Sequence, residues 1–148
     1  MTVALRPVDV DDLVALAPLD AAYAAEHALA PVVGRAALAF YARSGHAFVA
    51  GPVAAPAGFV LAHAIWDGAR PTVAIARVVV AAGADGAVHR ALVEAVVKSA
   101  YDAAVYDLTV DLPASDGAAA AAFAEPWRER PVRRFERVLG TRSSRTDR

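Results

Sequence analysis

The chain has 148 residues, with 15 Lys and Arg against 16 Asp and Glu, a formal net charge of −1 and no cysteine. Such a balance gives no electrostatic reason to expect nucleic acid or an anionic membrane as partner, and the missing thiols exclude disulfides and thiolate metal sites. Alanine inflates the hydrophobic fraction of 57%, and no run approaches the roughly 18 apolar residues of a membrane span. The opening MTVALRPVDVDD lacks a basic stretch followed by an apolar one, so no signal peptide is expected and a cytoplasmic protein is the default. Residues 1–140 are expected to form one domain, and the polar TRSSRTDR at 141–148 a disordered tail.

In chain order, Val3-Ala4-Leu5-Arg6 reads as a short strand closed by Pro7. Asp9 offers an N-cap to a helix with Leu13 and Leu16 on one face, expected to end before Pro18. Asp20 offers a cap to a second short helix through Tyr23, Glu26 and His27, broken at Pro31. GRAALAFYAR, residues 34–43, reads as a third helix, and Ser44-Gly45 stops it because glycine tolerates the left-handed conformation. Residues 46–50 and 58–66 are strand candidates, punctuated by Gly51-Pro52 and Pro56. The turn DGAR at 67–70 makes 58–66 and 72–80 an antiparallel hairpin.

The stretch from Gly83 to Pro113 organises the rest. Val88, Leu92, Val96 and Ala100 recur every four residues, the stripe of an amphipathic helix capped by Asp85. Glu94 and Lys98 fall off that stripe and form an i,i+4 pair. After Ala104 the period changes from helical to alternating: Tyr106, Leu108, Val110 and Leu112 interleave with Val105, Asp107, Thr109 and Asp111, until Pro113 stops the strand. Strand, loop, helix, strand is a βαβ unit, so 72–80 and 105–112 are expected to be parallel neighbours. An alanine-rich helix at 115–124, an irregular WRER between Pro126 and Pro131, and a last strand at 132–139 complete the chain.

This order of elements, the opening LRPVDVDDLVAL and the strand–loop–helix at 78–92 resemble the GNAT acyl-CoA N-acyltransferase superfamily, over nearly the whole chain up to Gly140. FYARSGHAFVA, LAHAIWDG and AVVKSAYDAAVY look like a small, functionally uncharacterised branch of it. The resemblance implies an α/β (α+β) fold with a mixed sheet, in which three antiparallel strands precede a parallel strand–helix–strand unit and helices cover both faces. It implies acetyl-CoA or another acyl-CoA as co-substrate and an amine, on a small molecule or a peptide, as acceptor.

Two demands on the site follow from the resemblance. The strand at 72–80 should carry a bulge and splay from 105–112, with the pantetheine arm bonded to the backbones of Val78, Val79 and Val80. The helix start should carry a turn of the form Q/R-x-x-G-x-G/A, whose free N–H groups hold the pyrophosphate. Asp85, Gly86, Ala87 and Val88 stand there. The turn is degenerate: its leading basic residue is absent, one glycine remains at Gly86, and Asp85 brings a negative charge. The superfamily's tyrosine after the fourth helix, which protonates the departing thiolate, is matched by Phe123-Ala124, which has no phenol.

A general base for amine acylation should be a carboxylate or an imidazole. His63 and Asp111 are the candidates, with Glu26 and His27 a further pair in the region that shapes the acceptor pocket in the superfamily. His63 shares its strand face with Phe59, Leu61 and Ile65, which also fits a core histidine. Asp111 lies on the polar side of its strand with Asp107 and Thr109, which also fits a solvated strand end. The 4 histidines show no ligand spacing, so no metal is expected. Arg128, Arg130, Arg133, Arg134 and Arg137 make the C-terminal region basic, offset by Glu125, Glu129 and Glu136. Only Trp127 and Phe135 interleave with them, so nucleic acid is not expected. Two functions from different classes stand: an acyl-CoA-dependent N-acyltransferase, and a GNAT-like domain without efficient catalysis that binds or dimerises. Trp66 and Trp127 are candidate interface residues for a homodimer.

Overall fold

A computed structural model describes residues 2–66 and 68–139. Five strands build its sheet, mostly apolar and rich in Val and Ala apart from the short first one: β1 (Leu5–Pro7), β2 (Phe48–Ala50), β3 (Gly58–Trp66), β4 (Pro71–Val80) and β5 (Leu108–Val110). Among the described residues these form one sheet in the order β1-β2-β3-β4-β5. Each neighbouring pair is antiparallel except β4 and β5, which are parallel. Both the hairpin and the parallel unit expected from the sequence are present.

The helices are α1 (Leu13–Glu26), α2 (Arg35–Ser44), α3 (Gly86–Asp102) and α4 (Gly117–Ala120), with a 3-10 turn at Val10–Asp12. They cover both faces of the sheet. Val88, Leu92, Val96 and Ala100 of α3 pack on Val60, Val73 and Val78, with Leu108 and Val110 partly buried against them. On the opposite face Leu16 and Tyr23 of α1 and Leu38 of α2 pack on Phe59, Leu61 and Val79. The two core layers follow from strand alternation: Val60 and Val78 point one way, Phe59 and Val79 the other. Gly45 ends α2 at φ 79°, as its position after Ser44 requires.

Several expectations are corrected. Pro18 does not end a helix; α1 runs through it to Glu26. The ring removes the N–H that would bond Val14, four residues earlier, but Val14 and Pro18 both lie on the solvent side, where water can take the freed carbonyl. Asp20 therefore caps nothing and sits in mid-helix. Lys98 pairs with Asp102 at 2.7 Å rather than with Glu94. The strand expected at 105–112 shortens to Leu108–Val110, and the helix at 115–124 to Gly117–Ala120, capped by Asp116. No strand forms at 132–139, which is exposed throughout. Its apolar residues, Val132, Phe135, Val138 and Leu139, do not alternate, so neither face of a strand there would be apolar. The expected disordered tail, residues 141–148, lies outside the described residues.

One irregularity of the sheet positions everything that follows. Leu61 pairs with Arg77 while Ala62 pairs with Ile75, so Ala76 is an extra residue bulging from β4. On the other side, pairing of β4 with β5 covers only Val73↔Leu108 to Ile75↔Val110. Beyond the bulge the two strands part.

Candidate active site

A cleft of about 500 Å³ opens where β4 and β5 separate. Residues 74–78 of β4 form one wall, Thr109, Asp111, Leu112 and Pro113 the other, and Tyr23 and Leu29 close it from the α1 side. Its size is within the range of small-ligand sites.

The bulge changes what β4 offers to that cleft. The Ala81 N–H donates to the Ala57 carbonyl at 2.7 Å, which fixes the alternation of the β3–β4 ladder. Val79 and Arg77 turn their main-chain groups toward β3, and Val78 and Val80 turn theirs to the opposite side, where β5 no longer follows. Of the three residues named from the sequence, Val78 lines the cleft; by the same alternation the main chain of Val80 turns to that side of β4 and that of Val79 toward β3.

At the start of α3, Asp85 is the N-cap: its side chain accepts from the Ala87 N–H at 3.1 Å. The Val88 N–H is bonded to the Asp85 carbonyl at 2.9 Å. The amides of Ala87 and Val88, which an anion would use, are therefore met from within the chain. Gly86 has the Arg90 guanidinium 3.7 Å from where a Cβ would stand. Arg90, one turn into the helix, thus brings a positive charge back to the helix start, where the sequence motif shows no leading basic residue.

The candidate bases do not come together. His63 packs between the rings of Phe40 and Tyr41, with centroids 5.3 and 5.7 Å away. Its Nδ1 is buried without a hydrogen-bond partner among the described residues. Asp111 lines the cleft mouth, is exposed, and accepts from Arg134 at 2.6 Å; Arg134 also approaches Glu136 at 3.2 Å. Glu26 is exposed, whereas the His27 side chain is buried and its Nδ1 lies 2.6 Å from the Ser115 hydroxyl.

The densest polar cluster at the cleft is one the sequence reading did not assemble. Arg77 donates to Asp20 at 2.9 Å and lies under the Tyr23 ring, 5.7 Å from its centroid. The Tyr23 hydroxyl donates to Asp116 at 2.6 Å, and Asp116 also caps α4 by accepting from Ala119 at 3.0 Å. Burial, and then the hydrogen bond to the Asp116 carboxylate, push the Tyr23 phenol well above its ordinary range, so it stays protonated. Burial pushes the His89 imidazole of α3 down, against the opposing pull of Asp116. One signal could have found this cluster: Arg77 is a lone charge in the apolar run PTVAIARVVV and needs a buried partner.

Sheet order, the β4 bulge, the parted strands and helices on both faces define the fold of the GNAT acetyltransferases. Solved structures of that kind superpose over most of the chain. A ribosomal-protein-alanine N-acetyltransferase from Brucella melitensis biovar Abortus 2308 matches with a TM-score of 0.70 at 18% identity, covering 94% of this chain and 100% of its own. The aminoglycoside acetyltransferase meta-AAC0020 from an uncultured soil metagenomic sample, solved with sisomicin, matches with a TM-score of 0.70 at 16% identity, covering 93% and 96%. The wild-type protein TTHA1254 from Thermus thermophilus is 36% identical with a TM-score of 0.76, covering 94% of this chain and 99% of that one. The chain belongs to the DUF1999 family, described as a protein of unknown function, whose model matches residues 31–146. A search of the curated proteins finds no match.

Proposed function

We propose that the protein is an acyl-CoA-dependent N-acyltransferase acting on an amine. The observation that carries this reading is the opening of β4 from β5 beyond Ile75↔Val110, with the main chain of Val78 and Val80 turned into it. An extended amide-bearing arm can bond there as an added strand would. Acyl-CoA, bound this way, supplies a thioester carbonyl as acyl donor. The fit is good along β4 and partial at α3, where Asp85 already occupies the helix start and Arg90 offers the compensating charge.

The remaining roles fall to the cleft walls. Leu112, Pro113 and Tyr23 supply apolar surface to the cleft lining. Asp111 lines the cleft while His63 packs against α2, which supports Asp111, once parted from Arg134, as the group that takes a proton from an ammonium. The acceptor class, an amine on a small molecule or peptide, is supported by the acetyltransferase neighbours.

Calorimetry with acetyl-CoA tests the reading. A dissociation constant of about 0.1–1 mM is expected for the natural chain, because the self-capped helix start weakens anion binding. Asp85→Gly should tighten binding several-fold, since it frees the Ala87 N–H and removes a like charge, while costing only a few tenths of a kcal/mol in capping. The self-cap also favours a second reading, a GNAT-like module that has left catalysis and acts by binding or dimerising. Absence of acetyl-CoA binding by both proteins at millimolar concentration would leave that second reading in place.

A further inference from the structure

Next to the main cleft lies a second one of about 320 Å³, lined by Val110, Ala120, Phe123 and Trp127. Leu112 and Pro113 line both cavities. Tyr23 lines the first and Asp116 the second, and a 2.6 Å hydrogen bond joins them. The wall between the cavities is therefore the Leu112-Pro113 segment together with the Tyr23–Asp116 contact.

We infer that Tyr23, held by Asp116, is a specificity-determining bar that confines the acyl group to the first cleft, and that the second cleft is the space a longer acyl chain would enter if the bar were removed. The inference rests on the acyltransferase reading, and it adds which acyl donors the site takes. Both partners are well fixed. Tyr23 is 9% exposed in the α1 core, and Asp116 is tied to the first turn of α4. The bar thus belongs to the packed frame and not to a loop. The far cavity offers an alkyl tail an apolar side, formed by Val110, Leu112, Ala120, Phe123 and Trp127, while Asp116, Arg128 and Glu129 add charge to its lining. Each methylene accommodated there would contribute roughly fourfold in affinity.

Titration of the full chain and two variants with acetyl-CoA and octanoyl-CoA tests this. The natural protein should bind acetyl-CoA about tenfold or more tightly than octanoyl-CoA. Tyr23→Ala should erase or invert that preference, and Tyr23→Phe, which keeps the ring but drops the Asp116 hydrogen bond, should weaken it without abolishing it. Tyr23→Leu, which keeps apolar packing in α1 and clears the phenol, replaces the alanine variant if that one does not fold. The inference is overturned if the natural chain does not discriminate, or if the alanine or leucine variant discriminates as the natural chain does. In either case acetyl-CoA binding itself would leave the acyltransferase reading standing. Failure of every protein to bind either thioester would sink that reading and the bar with it.

Discussion

Asp20 and Arg77, 57 positions apart in the chain, meet at 2.9 Å inside the protein. The carboxylate is 1% and the guanidinium 10% exposed. Asp20 is not only a counter-ion. Its second oxygen accepts from the backbone N–H groups of Val32 at 2.6 Å and Val33 at 2.9 Å, and Arg77 also donates to the Ala30 carbonyl at 3.1 Å. The pair therefore binds the loop between α1 and α2 to β4, one residue past the bulge at Ala76.

Breaking that pair should be costly. Asp20→Asn leaves Arg77 buried without a compensating charge, and a loss of about 3–5 kcal/mol is expected in denaturant melts. The double variant Asp20→Asn with Arg77→Met should recover part of that loss, because no uncompensated charge remains. A loss below about 1 kcal/mol for the single variant would mean that the pair is solvated and does not hold the loop.

The helix face of α3 has a separate test. Leu92 is fully buried, in the core cluster that joins Val88 and Val96 of α3 to Val60, Val73 and Val78 of the sheet. Leu92→Ala should cost about 2–5 kcal/mol. A cost under about half a kcal/mol, the level of an ordinary surface substitution, would place this face away from the core.

Stability should depend on pH near neutrality through His46. Burial pushes its pKa below the ordinary value of 6.5. Its Nδ1 lies 2.8 Å from the Ser99 hydroxyl. The folded state resists protonation that the unfolded chain accepts, so the unfolded state binds more protons as the pH falls below its own histidine pKa, about 6.5. The stabilisation is present above that pH and is lost progressively toward the depressed folded value. Burial lowers the His89 pKa in the same sense. Melting temperatures at pH 7.5 and 5.5 should show a drop for the natural chain and a smaller one for His46→Gln. An equal drop in both proteins would remove His46 as a cause.

Much of the fold was legible because its signals are periodic and local. The four-residue stripe from Val88 to Ala100 and the switch of period after Ala104 located α3 and β5, and Asp85 and Gly45 marked helix ends. Local rules fail where tertiary context overrides them. Pro18 was tolerated because its helix face is wet, and Val132–Leu139 found no partner strand. The site was legible only in part. Its backbone groups depend on the β4–β5 separation, which the family resemblance implied and residue types alone do not encode. The Asp20–Arg77 and Tyr23–Asp116 contacts join residues far apart in the chain, and no spacing rule predicts them.

The central claim is that a thioester arm lies along the free side of β4. Backbone amide shifts followed by NMR during titration with acetyl-CoA test it most directly, because they report position as well as affinity. Binding along β4 should move the amides of Val78 and Val80 saturably, with smaller shifts at Val79 and at β1, on the far edge of the sheet. Saturable binding that leaves Val78 and Val80 unmoved, or no saturable shift at millimolar acetyl-CoA, would contradict the account.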